Sequence, residues 1–566
     1  GPDLTQGTAS GQACLRPNID LDLRQSADQN LAASMWRTTD AWTRLCQGAV
    51  CLVTVTALHG PDPARCEPAA LHSSGLTDQL RARLAEPRFA RAQWGICIQD
   101  AETGQAVFEH NASQWFTPAS LTKLFTAALV LDRLGGSYRL KTSLWAEAGP
   151  ASNGVLHGPL VVEGNGDPGF VWEENTAQPL RSFRLLVDQV RNADIQELPA
   201  GIVGYDALSG GPFPGWGPRF GTGWAWEDLI RGYGAPISGL TANQGRIRLR
   251  VRPGAAVGQP CLISLHPSTG GLLISNLTST EPQGTQPQIK FVRTPGQPVL
   301  YVTGTLPIGR ASWETDVAAL DPALLFLELF KRALEQAGIR VSGPLSVRRG
   351  AALPSRSSQP PKLAPLGSVE SAPVRELVRD MLKDSRNGHA AVLWTMVGLR
   401  SPELKASSIP EAVAARELEK FLTSLGISPA EVHLEEGTGL SRNNLVTPRA
   451  VVTLLRRMSR HPEGKAFQDG LPVAGVDGTL ADRMKRTAAE GRVYAKTGTL
   501  RWAHGLAGFA HTKSGHRLVF CFLLNRHAPR PSEPSPQAEL DALAELLVTA
   551  PVPAPPSPAA APLIEP

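Results

Sequence analysis

The sequence contains no uninterrupted apolar run of the ~18 residues that a membrane-spanning helix requires. It also lacks Cys-x-x-Cys and His-Glu-x-x-His patterns, and its 7 cysteines show no metal-binding spacing. The formal net charge of +5 is small for 566 residues, which argues against nucleic-acid binding as the main activity. We therefore expect a globular protein with no metal or other cofactor, no nucleic-acid partner and no transmembrane helix.

The composition favours several domains with a substantial β component. Apolar residues make up 42% and charged residues 19% of the chain, which is ordinary for a globular protein. The 54 glycines and 48 prolines indicate many turns. A length of 566 residues allows three or four domains at a soft ~150 residues per domain.

Residues 1–75 are predicted to form a leader segment. Arg37 and Arg44 precede the apolar stretch 48–58, and Val55-Thr-Ala57 offers small residues for cleavage. These are the three parts of a secretory signal. A short buried strand is the alternative, because residues 52–57 are also rich in strand-forming side chains.

The remaining chain divides by its hydrophobic periodicity. Helices and strands predicted over 76–145 and 356–549 flank a region, 146–355, of short β-like runs between Gly- and Pro-rich turns. We expect one domain, formed by the two flanking stretches, that is interrupted by one or two inserted β-rich domains. A disordered Pro- and Ala-rich tail is expected at 550–566.

Two cysteines test this layout. Cys97 and Cys521 lie in apolar strand-like runs of the two flanking stretches, which is typical of buried, unreactive thiols. If the flanking stretches form one sheet, the strands that carry them are expected to be neighbours.

The first motif with catalytic potential is Ser120-Leu-Thr-Lys123, at the start of a predicted buried helix. Residues three apart share a helix face, so the hydroxyl and the amine can meet. A lysine that is partly desolvated loses proton affinity and can take the proton of a serine nucleophile. A lysine inside an apolar helix is costly unless it has such a role.

Two further motifs complete a set. Ser385-Arg-Asn387 lies between two predicted helices and offers a second hydroxyl and an amide, while Lys496-Thr-Gly498, followed by Thr499, lies in a predicted strand. An ammonium there can pair with a substrate carboxylate, and the glycine lets a peptide approach the backbone. Closely similar triplets occur in penicillin-binding proteins and class A β-lactamases.

Three similar patterns compete with this interpretation. Ser441-Arg-Asn443 repeats the second motif in a Gly-rich loop, and Lys513-Ser-Gly515 imitates the third at a predicted hairpin turn. The stretch 164–169 matches a dinucleotide-binding fingerprint, but Pro168 and an aromatic-acidic segment follow where a helix is needed. We therefore favour the first triplet as the active site.

The sequence resembles the class C low-molecular-mass penicillin-binding proteins, the D-alanyl-D-alanine carboxypeptidase/endopeptidase family of the bacterial periplasm. Besides the triplet, the resemblance extends over roughly 76–548 and is carried by longer strings at 163–168, 233–238, 437–442, 471–480 and 491–500. It implies a transpeptidase/β-lactamase-like α/β (α+β) domain with a five-stranded antiparallel sheet between helix layers. It also implies a periplasmic or secreted location, peptidoglycan stem peptides as substrate, and β-lactam antibiotics as covalent inhibitors.

The resemblance also implies roles for individual residues. Ser120 is the expected nucleophile, Lys123 its base, Ser385 the proton relay, and Asn387 a ligand of the acyl side. The terminal carboxylate of the substrate is expected to contact Lys496, Thr497, Gly498 and Thr499. The oxyanion hole is expected to consist of the backbone N–H groups of Ser120 and Thr499. A diaminopimelate-type side chain of the substrate is expected to contact Asp206 and Arg442.

Two alternatives remain open at this stage. One is a serine β-lactamase or esterase on the same fold, and the other is a non-catalytic peptidoglycan-binding protein. In addition, the second motif continues as Gly388-His389, where the family pattern has a bulky apolar or aromatic residue, which predicts a looser acyl pocket.

Overall fold

The structure is a computed structural model that describes residues 75–147, 153–206, 208, 220–268, 271–349, 363–405 and 408–551. Residues 1–74 of the predicted leader and residues 552–566 of the predicted tail lie outside the described residues. Among the described residues, no helix has both the length and the apolar character needed to cross a bilayer.

The described residues form helices and strands in alternation. The α-helices are α1 (Gly75–Leu84), α2 (Thr122–Leu134), α3 (Arg184–Asn192), α4 (Pro322–Gln336), α5 (Val374–Lys383), α6 (Asn387–Arg400), α7 (Pro410–Ser424), α8 (Pro448–Met458), α9 (Gly464–Asp469) and α10 (Pro536–Thr549). The strands are β1 (Gln93–Asp100), β2 (Ala106–His110), β3 (Arg139–Glu147), β4 (Leu160–Gly164), β5 (Ile202–Asp206), β6 (Arg246–Arg252), β7 (Leu262–His266), β8 (Leu273–Glu281), β9 (Gln288–Val292), β10 (Val299–Pro307), β11 (Trp313–Ala318), β12 (Leu345–Arg349), β13 (Leu363–Pro373), β14 (Val432–His433), β15 (Leu445–Val446), β16 (Val493–Leu500), β17 (Ala503–His511) and β18 (Arg517–Asn525).

The two stretches that flank the insertion form one antiparallel sheet of five strands in the order β16-β17-β18-β1-β2. Strands β1 and β2 precede the inserted region in the sequence, and strands β16, β17 and β18 follow it. This is expected for a domain that carries an insertion. Cys97 pairs directly with Cys521 across β1 and β18, so the prediction that these strands are neighbours is confirmed. Both thiols are fully buried and free.

Helices cover both faces of this sheet. Because side chains alternate across a strand, Cys521 and Leu523 of β18 pack against the layer of α2, α5, α6, α7 and α8, while Phe520 and Phe522 pack against α1 and α10. The predicted arrangement of a five-stranded antiparallel sheet between helix layers is confirmed. A strand covered on both faces reads as a continuous apolar run, which is the pattern at 518–524.

The inserted region has its own sheets and its own core. A five-stranded mixed sheet runs in the order β12-β5-β4-β3-β13, and two three-stranded sheets run β11-β6-β7 and β8-β10-β9. Strands β3 and β13 lead into and out of the insertion and pair with each other antiparallel. This five-stranded mixed sheet therefore extends beyond both predicted boundaries of the insertion, residues 146 and 355. The reason is that β3 and β13 form their backbone hydrogen bonds with each other.

Helix α2 lies in the middle of the helical layer. All residues from Thr122 to Leu131 are buried, including the side chain of Lys123. The packing therefore holds an ionisable amine inside the hydrophobic core, on the first turn of the helix.

Candidate active site

Ser120 lies in a short 3-10 turn, Ala119–Leu121, that runs directly into α2. Lys123 is on the first turn of the helix, and its Nζ atom lies 3.1 Å from Oγ of Ser120. The spacing of three residues has therefore produced the predicted contact. Lys123 is fully buried, whereas Ser120 is partly exposed and lines a cleft with a volume of about 910 Å³.

The amine of Lys123 has two further partners from distant parts of the chain. It donates to Oδ1 of Asn387 at 2.6 Å and to the carbonyl oxygen of Thr438 at 2.5 Å. Asn387 begins α6, and its Nδ2 donates to the carbonyl oxygen of Tyr233 in the inserted region at 2.8 Å. The first and second motifs thus meet in one hydrogen-bond network.

Burial sets the proton affinity of the amine. Desolvation lowers the pKa of Lys123 from its usual value to about 7, and the nearby negative charge of Glu436 opposes this shift. A large fraction of the amine is therefore neutral near pH 7 and able to accept the proton of Ser120.

Glu436 is a residue that the sequence motifs did not single out. It is 3% exposed, and its carboxylate accepts from the backbone N–H of Thr438 at 2.8 Å and of Gly439 at 2.7 Å. The side chain of Asn444 donates to it at 3.0 Å. These bonds fix the loop whose Thr438 carbonyl oxygen binds Lys123. The string at 437–442 begins one residue after Glu436 and is the only sequence signal near it.

Strand β16 brings the third motif to the same place. The Nζ atom of Lys496 donates to the carbonyl oxygen of Thr497 at 2.9 Å, and the side chain is fully buried. A Cβ atom at Gly498 would lie 2.7 Å from the carbonyl oxygen of Pro118, so the strand passes against the turn that carries Ser120. Residues 120, 123 and 496 therefore come from adjoining segments of the structure, and the charge of Lys123 acts on the amine of Lys496.

Two residues of the site have a backbone conformation that is uncommon for side chains other than glycine. Ala119, directly before Ser120, has φ of 50°, and Ser385 has φ of 57°. Strained backbone of this kind is held in place by surrounding packing and often occurs at active sites.

The cleft gathers most of the predicted site residues. Its walls contain Ser120, Ser385, Asn387, Arg442, Thr497 and Thr499. Lys123, Lys496 and Gly498 are buried behind these walls. Arg442 extends from the Gly-rich loop and donates through Nη1 to the carbonyl oxygen of Arg501 at 3.1 Å.

The motifs Ser441-Arg-Asn443 and Lys513-Ser-Gly515, which repeat the second and third motifs in similar form, do not form a second active site among the described residues. Ser441 is fully buried, and its Oγ accepts from the backbone N–H of Asn443 at 3.2 Å. The side chain of Asn443 donates to Glu435 at 2.8 Å. Lys513 is exposed in the turn between β17 and β18. Within these two motifs, only Arg442, next to Ser441, lines the cleft.

Asp206 is not brought to the cleft. It ends β5 in the inserted region, is 1% exposed, and accepts from Oγ of Ser238 at 2.8 Å and from the backbone N–H of Gly239 at 2.6 Å. The structure therefore gives no support to the predicted substrate contact of Asp206, because its carboxylate is engaged in holding the turn at 238–239.

A different acidic residue of the insertion lines the cleft. Asp228 is 6% exposed, and its Oδ1 accepts from the hydroxyl of Tyr233 at 2.8 Å. Its Oδ2 is buried and has no hydrogen-bond partner among the described residues. A buried, unpaired carboxylate oxygen is costly, so its position in a cleft wall favours a role in binding a donor or a cation.

Most of the chain is similar to known proteins. The model of the D-Ala-D-Ala carboxypeptidase 3 (S13) family matches residues 76–547. A D-alanyl-D-alanine carboxypeptidase of Actinomadura sp. (strain R39) is 31% identical over 511 residues, which cover 88% of this chain and 89% of that protein.

Solved structures of penicillin-binding protein 4 (dacB) from Haemophilus influenzae have a similar fold. One matches with a TM-score of 0.69 and 22% identity, covering 83% of this chain and 98% of that chain. A second, complexed with a β-lactam, matches with a TM-score of 0.64 and 21% identity over the same shares.

Proposed function

The chain belongs to the D-Ala-D-Ala carboxypeptidase 3 (S13) family, and from this premise we propose that it is a serine D-alanyl-D-alanine carboxypeptidase/DD-endopeptidase. Its substrates are peptidoglycan stem peptides, and its intermediate is an acyl-enzyme at Ser120. The observation that carries the proposal is the 3.1 Å contact of Ser120 with the buried amine of Lys123, in a cleft that Ser385 and Thr499 also line.

The proposed reaction begins with proton transfer. The neutral amine of Lys123 takes the proton of Ser120, and Oγ attacks the carbonyl carbon of the penultimate D-alanine. The backbone N–H groups of Ser120 and Thr499 stabilise the oxyanion. The ammonium of Lys123 returns this proton through the hydroxyl of Ser385 to the leaving amine, and the C–N bond breaks. Water then attacks the ester, which restores Ser120 and releases the shortened peptide.

The same acyl-enzyme serves both activities. In the carboxypeptidase reaction the leaving group is the terminal D-alanine, and in the endopeptidase reaction it is the amine of a crosslinked side chain. A β-lactam acylates the same oxygen, and its ring opening takes the place of peptide cleavage. The peptidoglycan substrate places the enzyme in the bacterial cell envelope, in the periplasm or outside the cell.

We assign the side-chain contact of the substrate to Asp228 instead of Asp206. Asp228 lines the cleft, and its buried Oδ2, which has no hydrogen-bond partner among the described residues, suits the ammonium group of a diaminopimelate-type side chain. Arg442, which lines the same cleft, suits the carboxylate of that group.

The test is covalent labelling followed by product analysis. Wild-type protein incubated with benzylpenicillin is expected to gain the mass of one penicilloyl group, and Ser120→Ala to gain none. Ser514→Ala, an exposed serine at the tip of a hairpin, is the matched control and is expected to label like wild type.

Defined monomeric and crosslinked muropeptides then measure D-alanine release and crosslink cleavage. Labelling that persists in Ser120→Ala would refute the nucleophile. Rapid turnover of the adduct would instead favour a β-lactamase, and peptidoglycan binding without adduct or product would favour a non-catalytic protein.

A further inference from the structure

A second cavity, with a volume of about 540 Å³, is formed by α5, α9, the loop after α9 and one end of the strands β16, β17 and β18. We call it the side cavity, and its lining includes Arg379, Lys383, Val473, Asp477, Tyr494 and Arg517. No residue lines both the side cavity and the cleft that contains Ser120. The two spaces are neighbours, because Ser385 and Thr479, which follow Lys383 and Asp477 by two positions, line the cleft.

The acids that line the side cavity are already paired with lysines. The Nζ atom of Lys383 donates to both carboxylate oxygens of Asp477, at 2.7 and 2.6 Å. Asp469, the other acid of the lining, accepts from Lys465 at 2.7 Å. Arg379 is exposed and has no hydrogen-bond or ion-pair partner among the described residues. The lining therefore carries a positive charge that its own carboxylates do not neutralise.

Arg517 is a second cation of the lining, and its guanidinium is held in place. Its Cζ atom lies 4.3 Å from the centre of the Phe509 ring, and Nη2 donates to Oε1 of Gln468 at 2.6 Å. An acid also approaches it, since Oε1 of Glu102 lies 3.9 Å from Nη1, but that side chain is 72% exposed. Exposed ion pairs contribute little, so Nη1 retains a donor for a ligand.

The rest of the lining suits an organic anion. Burial, with the nearby positive charges of Arg517 and Arg492, lowers the pKa of His511, which also lines the cavity. Tyr494 and Val473 are half-buried and supply apolar surface. The hydroxyl of Tyr494 has no hydrogen-bond partner among the described residues. A ligand with acidic groups and an apolar part would therefore match both the charge and the surface of the cavity.

We propose that the side cavity is a second ligand site, which binds a small organic dianion through Arg379 and Arg517 and holds its apolar part against Tyr494 and Val473. Two arginines suit two acidic groups, because each guanidinium forms charge-assisted hydrogen bonds with one of them. The inference goes beyond the proposed function and does not depend on it, since none of these four residues lines the cleft or belongs to the three motifs.

The experiment is a calorimetric titration of the full chain with linear dicarboxylates, from glutarate to suberate, at low ionic strength. Wild type is expected to bind at least one member of the series saturably. The neutral diamide of that member and the monocarboxylate of equal length are each expected to bind at least ~10-fold more weakly, because charge-assisted hydrogen bonds are lost.

Arg379→Gln tests the site directly. Since Arg379 is exposed and has no partner among the described residues, the variant is expected to fold normally and to bind the dicarboxylate at least ~10-fold more weakly. Arg375→Gln is the matched control, because Arg375 is exposed on the same helix four residues earlier and does not line the cavity. It is expected to keep the wild-type affinity.

Two further variants locate the ligand. Arg517→Lys keeps the charge but loses the planar fork, so its loss of affinity is expected to be smaller than that of Arg379→Gln. Arg442→Gln removes a cation from the cleft that contains Ser120 and is expected to keep the wild-type affinity. The melting temperature reports whether each variant is folded.

Three results would overturn the inference. These are no saturable binding of any dicarboxylate by wild type, equal affinities for the dicarboxylate and its diamide, and equal affinities of Arg379→Gln and Arg375→Gln. Binding that is lost in Arg442→Gln and kept in Arg379→Gln would likewise place the ligand in the cleft. Failure of the proposed function is a separate result, because penicillin labelling tests Ser120 and these titrations involve no acylation.

Discussion

The Nζ atom of Lys123 lies 2.6 Å from Oδ1 of Asn387, which joins α2 to α6 across 264 positions of sequence. Nδ2 of the same amide donates to the carbonyl oxygen of Tyr233 at 2.8 Å, so one side chain contacts both the buried amine and the inserted region. The hydrogen bonds of Asn387 therefore link the amine of Lys123, the proposed base, to the inserted region.

The first prediction concerns the pH dependence of acylation. Since the pKa of Lys123 is lowered to about 7, the neutral, proton-accepting form increases as pH rises. The rate of penicillin acylation is expected to rise between pH 6 and pH 8 with a midpoint near 7 and then to level off. Stopped-flow or quenched labelling across pH 5 to 9 measures it.

Asn387→Asp provides the matched test of that assignment. A carboxylate in place of the amide would stabilise the protonated amine, so the midpoint is expected to move to higher pH and the rate at pH 7 to fall. An unchanged midpoint in this variant would show that another group controls the profile.

A second prediction concerns the backbone around the nucleophile. Gly439 has φ of +83°, and a Cβ atom there would lie 2.0 Å from the carbonyl oxygen of Ala119. Gly439→Ala must therefore displace the turn that carries Ser120, and we expect at least a tenfold loss of acylation rate. Gly491→Ala has a similar φ of +68° with nothing within 4 Å, and it serves as a control for backbone strain alone. Similar acylation rates in the two variants would contradict the steric explanation.

The third prediction separates the two candidate acids of the insertion. Asp228→Asn is expected to reduce kcat/KM ~10-fold or more for a peptide with a free side-chain ammonium and to affect its N-acetylated analogue much less. Asp206→Asn weakens the hydrogen bonds to Ser238 and Gly239, so it is expected to lower the melting temperature without changing the preference. The reverse pattern would restore the substrate role of Asp206.

The fourth prediction concerns stability in acid. His389 is 2% exposed, its Nδ1 has no hydrogen-bond partner among the described residues, and desolvation with the nearby Arg386 and Arg246 lowers its pKa to about 3. Between pH 6.5 and pH 3 the unfolded chain binds a proton at this site and the folded chain does not. Above pH 6.5, His389 is neutral in both states and does not lower the free energy of unfolding. As pH falls below 6.5, this residue lowers the free energy of unfolding by up to ~1.4 kcal/mol per pH unit.

His389→Leu removes this dependence. Its melting temperature is expected to decrease less than that of wild type between pH 6.5 and pH 4, measured by circular dichroism. Parallel decreases in the two proteins would mean that His389 does not contribute to acid sensitivity.

Local features of the sequence were sufficient to predict much of the fold. The predicted strand that carries Lys496 is present as β16, and the predicted hairpin turn at 513–515 joins β17 to β18. Apolar runs and short turns are local features that the order of residues records directly. The contact between Ser120 and Lys123 was predictable for the same reason, since a spacing of three residues fixes it within one helical turn.

The contacts that the motifs missed all join segments far apart in the chain. Glu436 reaches Lys123 through a loop, and Asp228 enters the cleft from the insertion. No spacing along the chain encodes these approaches. Asp206 shows the converse, because a suitable residue type in a suitable string folded into the interior of another sheet.

The sequence by itself determined the identity of the reactive groups, the helix that pairs the nucleophile with its base, and the strands of the catalytic sheet. Only the tertiary structure decided which charges face the cleft and which are buried behind it. The physical reason is that periodicity and turn chemistry act over a few residues, whereas burial and charge environment depend on every segment that packs around a site.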